Sequence, residues 1–216
     1  MKVVIDGNIG AGKTTQLNLL ETSGWRVKRE PIEEWPLEEF YKDKKRWGFL
    51  LQIRILQTLL PGKRTTIHER SLLSTRYVFW EHMKQHKLVT DWEDKVYVQE
   101  YEKYAWYPDL YIFLARTPEK AYEAIQKRQQ TGDSAVTLQY IKELDDLYKK
   151  MIMNVPCKVH VVNGDRPAEE VYQEILSILK VNEVYISDSI GSQVSKNRNV
   201  RGQVLCTPGT NMCSVS

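Results

Sequence analysis

Gly7-Asn8-Ile9-Gly10-Ala11-Gly12-Lys13-Thr14 decides how the rest of the chain is read. It fills every fixed position of the pattern G-x-x-x-x-G-K-[ST]. Val3-Val4-Ile5-Asp6 precedes it, a short apolar run ending at glycine, as a buried strand does. Thr14–Glu21 follows, with apolar residues at helical spacing. Strand, glycine loop and helix in that order form a phosphate cradle. Glycines let the loop wrap closely, so successive backbone N–H groups face a polyphosphate. Lys13 adds a point charge for the β- and γ-phosphates, the Thr14 hydroxyl is a Mg²⁺ ligand, and the helix presents its positive end. The guanine signature Asn-Lys-x-Asp occurs nowhere in the chain. ATP is therefore the implied nucleotide, used by a kinase or by an ATPase.

Outward from the loop, strand and helix signals alternate. Strands are expected at Val3–Asp6, Trp25–Lys28, Thr65–His68, Leu110–Leu114 and Lys158–Val162. Helices are expected at Thr14–Glu21, across Leu37–Leu60 as one or two pieces, and at Leu72–Lys84 and Trp92–Tyr104. Three more follow at Pro118–Gln129, Thr137–Met153 and Pro167–Leu179, the first opened by its proline. Strands separated by helices imply an α/β fold, a five-stranded parallel sheet flanked by helices on both faces. Residues 1–181 form the expected body. The stretch 182–216, rich in Ser, Asn, Gly and Gln toward its end, reads as a flexible tail.

Composition narrows the function classes. The 216 residues are 42% hydrophobic, with 6 Trp, 12 Tyr and 4 Phe, which excludes disorder of the whole chain. No apolar run approaches the ~18 residues of a spanning helix. The net charge of +3, from 31 basic and 28 acidic side chains, is too small for a nucleic-acid-coating protein. Three cysteines without a CxxC pair give neither a disulfide framework nor a zinc cluster, and a reducing compartment fits best. The glycine loop begins almost at residue 1, with no targeting signal before it, so a cytoplasmic location is expected.

Ligands of parallel sheets sit at the carboxyl ends of the strands. After the second expected strand comes Glu30, held extended by Pro31 and suited to take a proton from an acceptor hydroxyl. It also reads as part of a solvated acidic loop with Glu33 and Glu34. After the third comes Glu69-Arg70-Ser71. Glu69 suits a Mg²⁺ shell and Arg70 a transferring phosphate, although a helix cap at Ser71 with a structural ion pair is the plainer alternative.

Taken together, these residues resemble the deoxyribonucleoside kinase family, which includes insect multisubstrate kinases and mitochondrial thymidine kinase. The resemblance rests on Gly7–Thr15, Glu30-Pro31 with Trp35, Tyr41-Lys42-Asp43 with Trp47, Gln52, Glu69-Arg70-Ser71, Pro108-Asp109-Leu110 and Glu143-Leu144. It spans about residues 1–165 in order, far more than the glycine loop alone. It implies a P-loop kinase with a short lid that moves the γ-phosphate of ATP to the 5′-hydroxyl of a deoxyribonucleoside, with Mg²⁺. A homodimer is also implied. By position, Glu30 matches the general base, Arg70 the arginine at the 5′-oxygen, and Thr14 and Glu69 the metal side. Tyr41 matches a tyrosine on the sugar 3′-hydroxyl, Gln52 the amide that reads the base, and Trp35 and Phe79 the pocket walls.

Two departures stand out. The segment 127–133 lies where the family has an arginine-rich lid, but only Arg128 matches a lid arginine, while Ala124 and Gln130 replace others. Asp133 stands where the family has a glutamate to the 3′-hydroxyl. Ile55, Leu59 and Thr75 occupy the specificity positions, where deoxycytidine- and purine-preferring members carry an arginine–aspartate pair. That apolar floor points to thymidine, with deoxycytidine second.

A nucleoside monophosphate kinase such as thymidylate kinase is the first rival. It shares Arg29-Glu30-Pro31, yet expects glycines after the proline and Asp-Arg-Tyr in place of Glu69-Arg70-Ser71. A P-loop ATPase or binding module is the second. His82 and His86, four apart, suggest a metal face without an evident third ligand, so a solvated helix face is expected. The terminal Cys213-Ser214-Val215-Ser216 fits a prenylation box loosely, and membrane contact would follow only from modification of Cys213.

Overall fold

A computed structural model describes residues 1–128, 132–182 and 184. Gln129–Thr131 and nearly all of the expected tail, including Cys213, lie outside the described residues. Five strands form one parallel sheet: β1 (Lys2–Gly7), β2 (Val27–Lys28), β3 (Thr66–Glu69), β4 (Leu110–Ala115) and β5 (Lys158–Asn163). Their order is β2-β3-β1-β4-β5. The chain fills one side of β1 first and then crosses to the other, so the strand order reverses around β1. Its carboxyl end, where the glycine loop begins, is the switch point at which such sheets bind ligands.

The sheet is covered on both faces, and its strands show why. Alternate residues of a strand point to opposite faces. Val4, Tyr111 and Phe113 enter a core shared with α3 (Lys44–Thr58), α6 (Asp91–Tyr104) and α8 (Leu138–Ile152). Val3, Ile5, Leu110, Ile112 and Leu114 enter the opposite core, closed by α1 (Lys13–Thr22) and α9 (Ala168–Val181). Each such fully buried aliphatic contributes about 1.5–3 kcal/mol. Beyond α9, Val184 packs back on that second core.

Local signals set the helix ends. Asp43 separates α2 (Leu37–Lys42) from α3, its carboxylate accepting from the Arg46 N–H at 3.0 Å. Thr90 and Glu93 form a reciprocal capping box on α6, and Thr137 caps α8. Pro118 opens α7 (Pro118–Arg128). The expected helix over Leu72–Lys84 is a composite: α4 (Leu72–Ser74), a π-helical turn Thr75–Trp80, and α5 (Glu81–Gln85). No helix among the described residues is long and apolar enough to cross a membrane.

Candidate active site

The carboxyl ends of β1, β2 and β3 meet around one buried charge cluster. Gly10 and Gly12 have φ of 76° and 91°, the left-handed backbone that glycine adopts without strain. A Cβ on Gly10 would stand 2.3 Å from the Ala121 carbonyl oxygen, so the loop lies directly on α7. The Asn8 side chain is engaged within the protein. Its amide nitrogen donates to Ile141 O at 2.8 Å and its oxygen accepts from the Ile9 N–H, which ties the loop to α8. Lys13 is buried, and its ammonium donates to Gly7 O and Asn8 O, each at 3.0 Å. Burial, reinforced by nearby Arg70, lowers its pKa to about 8.

Arg70 is the centre of the cluster. It lies at the end of β3 with φ 63°, an uncommon conformation for a residue with a side chain, held by its own N–H donating to Ile5 O. Its Nε donates to Glu30 Oε1 at 2.8 Å, its Nη1 lies 3.5 Å from Asp6 Oδ1 and donates to the Tyr148 hydroxyl, and its guanidinium stacks 4.7 Å over Phe79. Burial raises the Glu30 pKa, with Arg70 pulling the other way. Thr14 Oγ1 donates to Glu69 Oε1 at 3.3 Å, beside the loop. Ser71 does cap α4, accepting from the Leu73 N–H, so the capping role and the buried charges coexist in one tripeptide.

The remaining predicted residues lie on or beside α2, α3, α7 and the π-helical turn. Tyr41 is half-buried, and a Cβ on Gly132 would stand 2.5 Å from its ring. Arg128 grips Asp133 with two bonds, Nη2 to Oδ1 at 2.6 Å and Nε to Oδ2 at 3.0 Å. Gln52 is buried and its Oε1 has no hydrogen-bond partner among the described residues. Ile55, Leu59 and Thr75 are all buried nearby on α3, at its end and on the π-helical turn. Trp35 donates from Nε1 to Thr58 Oγ1 at 2.9 Å.

A deoxynucleoside kinase model matches residues 3–184 of this sequence. The chain belongs to the deoxynucleoside kinase family. It is 30% identical over 190 residues to the "probable deoxycytidine kinase" of Fowlpox virus, covering 76% of this chain and 79% of that protein. It is 25% identical to human mitochondrial thymidine kinase 2, covering 79% of this chain and 73% of that one. In three dimensions it resembles a deoxyadenosine kinase from M. mycoides with products dCMP and dCDP bound, at TM-score 0.74 and 25% identity, over 86% of this chain and all of the other. Family membership makes this chain a kinase, and the monophosphate-kinase and ATPase alternatives give way to it.

The cluster of this kinase also contains residues that the motifs did not announce. Asp6, fully buried at the end of β1, accepts from the hydroxyls of Tyr111 at 2.6 Å and Tyr148 at 3.1 Å and from the Gly7 N–H at 2.7 Å. Its charge also faces Arg70, so one carboxylate positions the loop entry and the arginine together. Burial, with Asp6 adding to it, raises both phenol pKa values and keeps the donors protonated. Arg116, just beyond β4, donates from Nη1 to Gly10 O at 3.1 Å. It brings a positive charge against the glycine loop. The rule that ligands gather after strand ends was a sufficient signal for it.

Proposed function

We propose that this kinase transfers the γ-phosphate of ATP to the 5′-hydroxyl of a deoxyribonucleoside, with thymidine the preferred acceptor. The observation that carries the reading is the largely buried Glu30–Arg70 pair, with side-chain exposures of 13% and 7%, beside Lys13 and the glycine loop. Glu30 takes the proton of the attacking 5′-hydroxyl, and its raised pKa makes it a stronger base than an exposed carboxylate. Arg70, Lys13 and Arg116 offset charge on the phosphates, where positioning and electrostatics supply most of the catalysis. Gly7–Thr15 hold the triphosphate through backbone N–H groups.

Mg²⁺ fits this site: the hydroxyl of Thr14 and the carboxylate of Glu69 are paired hard oxygen donors at the loop. These two residues would hold it, and the ion neutralises phosphate charge when bound.

Tyr41 and Asp133 address the sugar 3′-hydroxyl, and Arg128 orients Asp133. Gln52 reads the base. Its buried amide oxygen, without a protein partner among the described residues, suits an N–H of a pyrimidine. Trp35 and Phe79 flank the base. Apolar Ile55 and Leu59, beside Thr75, suit the thymine methyl, although pocket methylenes discriminate by only ~1–3 kcal/mol. The test is ADP release with Mg-ATP and, separately, thymidine, deoxycytidine, deoxyadenosine, deoxyguanosine and thymidine monophosphate. Thymidine should give the highest kcat/KM. A higher value for any other nucleoside overturns the preference, and turnover only on the monophosphate overturns the acceptor class.

A further inference from the structure

Away from the phosphate loop, where α5 meets α8, two imidazoles and a carboxylate converge. His82 lies in α5 and His86 caps its end, so the rings stand one helical turn apart on one face and stack at 4.2 Å between centroids. Both reach the same oxygen of Glu143 on α8: His82 Nε2 lies 2.9 Å and His86 Nε2 3.1 Å from Oε2. The donor atoms of all three side chains lie within 4.8 Å of one another. The solvated helix face expected from the sequence is thereby corrected. His82 is only 7% exposed, and the third donor comes from a helix distant in the chain.

A tetrahedral zinc site has metal–ligand bonds of about 2.0–2.2 Å and therefore ligand–ligand edges of about 3.3–3.6 Å. The two measured donor spacings are shorter than such an edge by only a few tenths of an ångström. The supporting contacts also suit a metal site. Gln139 Nε2 donates to the other oxygen of Glu143 at 2.9 Å and fixes the carboxylate, while Tyr140 packs edge-on against His82 at 4.8 Å. His86 and Glu143 keep side-chain exposures of 47% and 31%, which leaves an entry path and room for water as the fourth ligand. Lys44, whose ammonium lies 5.1 Å over the Tyr140 ring, opposes a cation there and moderates the affinity.

We propose that His82, His86 and Glu143 form a second metal site, taking a divalent transition ion of the zinc class and clamping α5 to α8. Two imidazoles with one carboxylate suit zinc, cobalt or nickel, whereas magnesium and calcium prefer oxygen-only shells. The site differs from the Thr14–Glu69 pair in place and in donor chemistry. Through α8 the clamp bears on the phosphate loop, because Ile141, two residues from Glu143, holds the Asn8 amide.

The test is titration of tag-free, metal-stripped protein with Co²⁺, without nucleotide, reading visible absorption and the melting temperature. The expected result is one equivalent of four-coordinate Co²⁺, displaced by Zn²⁺, and a Zn²⁺-dependent rise in melting temperature. His86→Ala, at an exposed position, and Glu143→Gln, at a half-buried one, should each weaken binding by about tenfold or more while the metal-free protein stays folded. No visible band in the wild type, or a band unchanged in both variants, overturns the site.

Discussion

Replacing Glu30 with Gln removes a proton acceptor but keeps the side chain's shape and an oxygen for the Arg70 Nε–H, now bonded at 2.8 Å. Two quantities then separate. General-base assistance is worth about 10²–10⁴-fold, so kcat on thymidine should fall by that factor. This corresponds to roughly 3–5 kcal/mol of lost transition-state stabilisation, at 1.36 kcal/mol per tenfold. Stability should hardly move. Burial raises the Glu30 pKa above its unfolded value despite Arg70. The folded protein therefore binds that proton more tightly than the unfolded chain, and the group's contribution to stability is lost as pH rises through the folded value. Ionising the carboxylate there carries a desolvation cost that the amide lacks, and this offsets the weaker bond to Arg70. A net change of about 1 kcal/mol shifts Tm by only ~2–4 °C at this chain length. The assay is steady-state ADP release against pH, beside a calorimetric melt. Wild-type kcat/KM should fall in acid as Glu30 takes up its proton, and the variant should lose that limb. A variant within about threefold of wild type would refute the base assignment. So would an activity loss matched by a collapse in Tm, which would make Glu30 structural.

Tyr148→Phe removes the hydroxyl that bonds Asp6 Oδ1 at 3.1 Å and receives Arg70. It should destabilise by about 1–3 kcal/mol, seen as a lowered Tm, with the Tyr111 bond to Asp6 remaining. Lys13 titrates near 8 in the folded protein against 10.5 in the unfolded chain. The unfolded state therefore binds more protons between those values, and nucleotide-free wild type should gain stability on Lys13→Met as pH rises through that window, by up to about 3 kcal/mol in urea titrations. Gly132→Ala places a Cβ 2.5 Å from the Tyr41 ring at a φ of 88°. It should destabilise by about 1–3 kcal/mol and raise KM for thymidine more than it lowers kcat; an unchanged KM would remove Tyr41 from the sugar site.

What the sequence disclosed depended on how local each signal was. The glycine loop, the β1 run before it and the apolar Leu110–Leu114 strand carry their meaning in consecutive residues, and all three stand where they were read. Asp43 is a helix breaker that is also a cap, so one or two helices across Leu37–Leu60 could not be decided from periodicity alone. The π-helical turn at Thr75–Trp80 was invisible because it keeps an apolar pattern that an α-helix also shows. The Asp6 hub and the histidine–glutamate cluster were unreadable for another reason. Tyr148 lies 142 residues from Asp6, and Glu143 is 61 residues from His82, so only the folded sheet and its helices bring them together.

The Asn8–Ile141 bond spans 133 residues, and β1 pairs with β3 and β4 on its two sides. On the ribosome, then, β1 is made long before the partners that satisfy it. Val3, Val4 and Ile5 must wait, apolar on both faces, until residue 110 has emerged, and the phosphate loop acquires its anchor only after residue 141. At ~5–20 residues per second that is an exposure of roughly 5–30 s. The nascent chain carries this apolar run uncovered throughout that interval, and ATP can stabilise the loop only once residue 141 is in place.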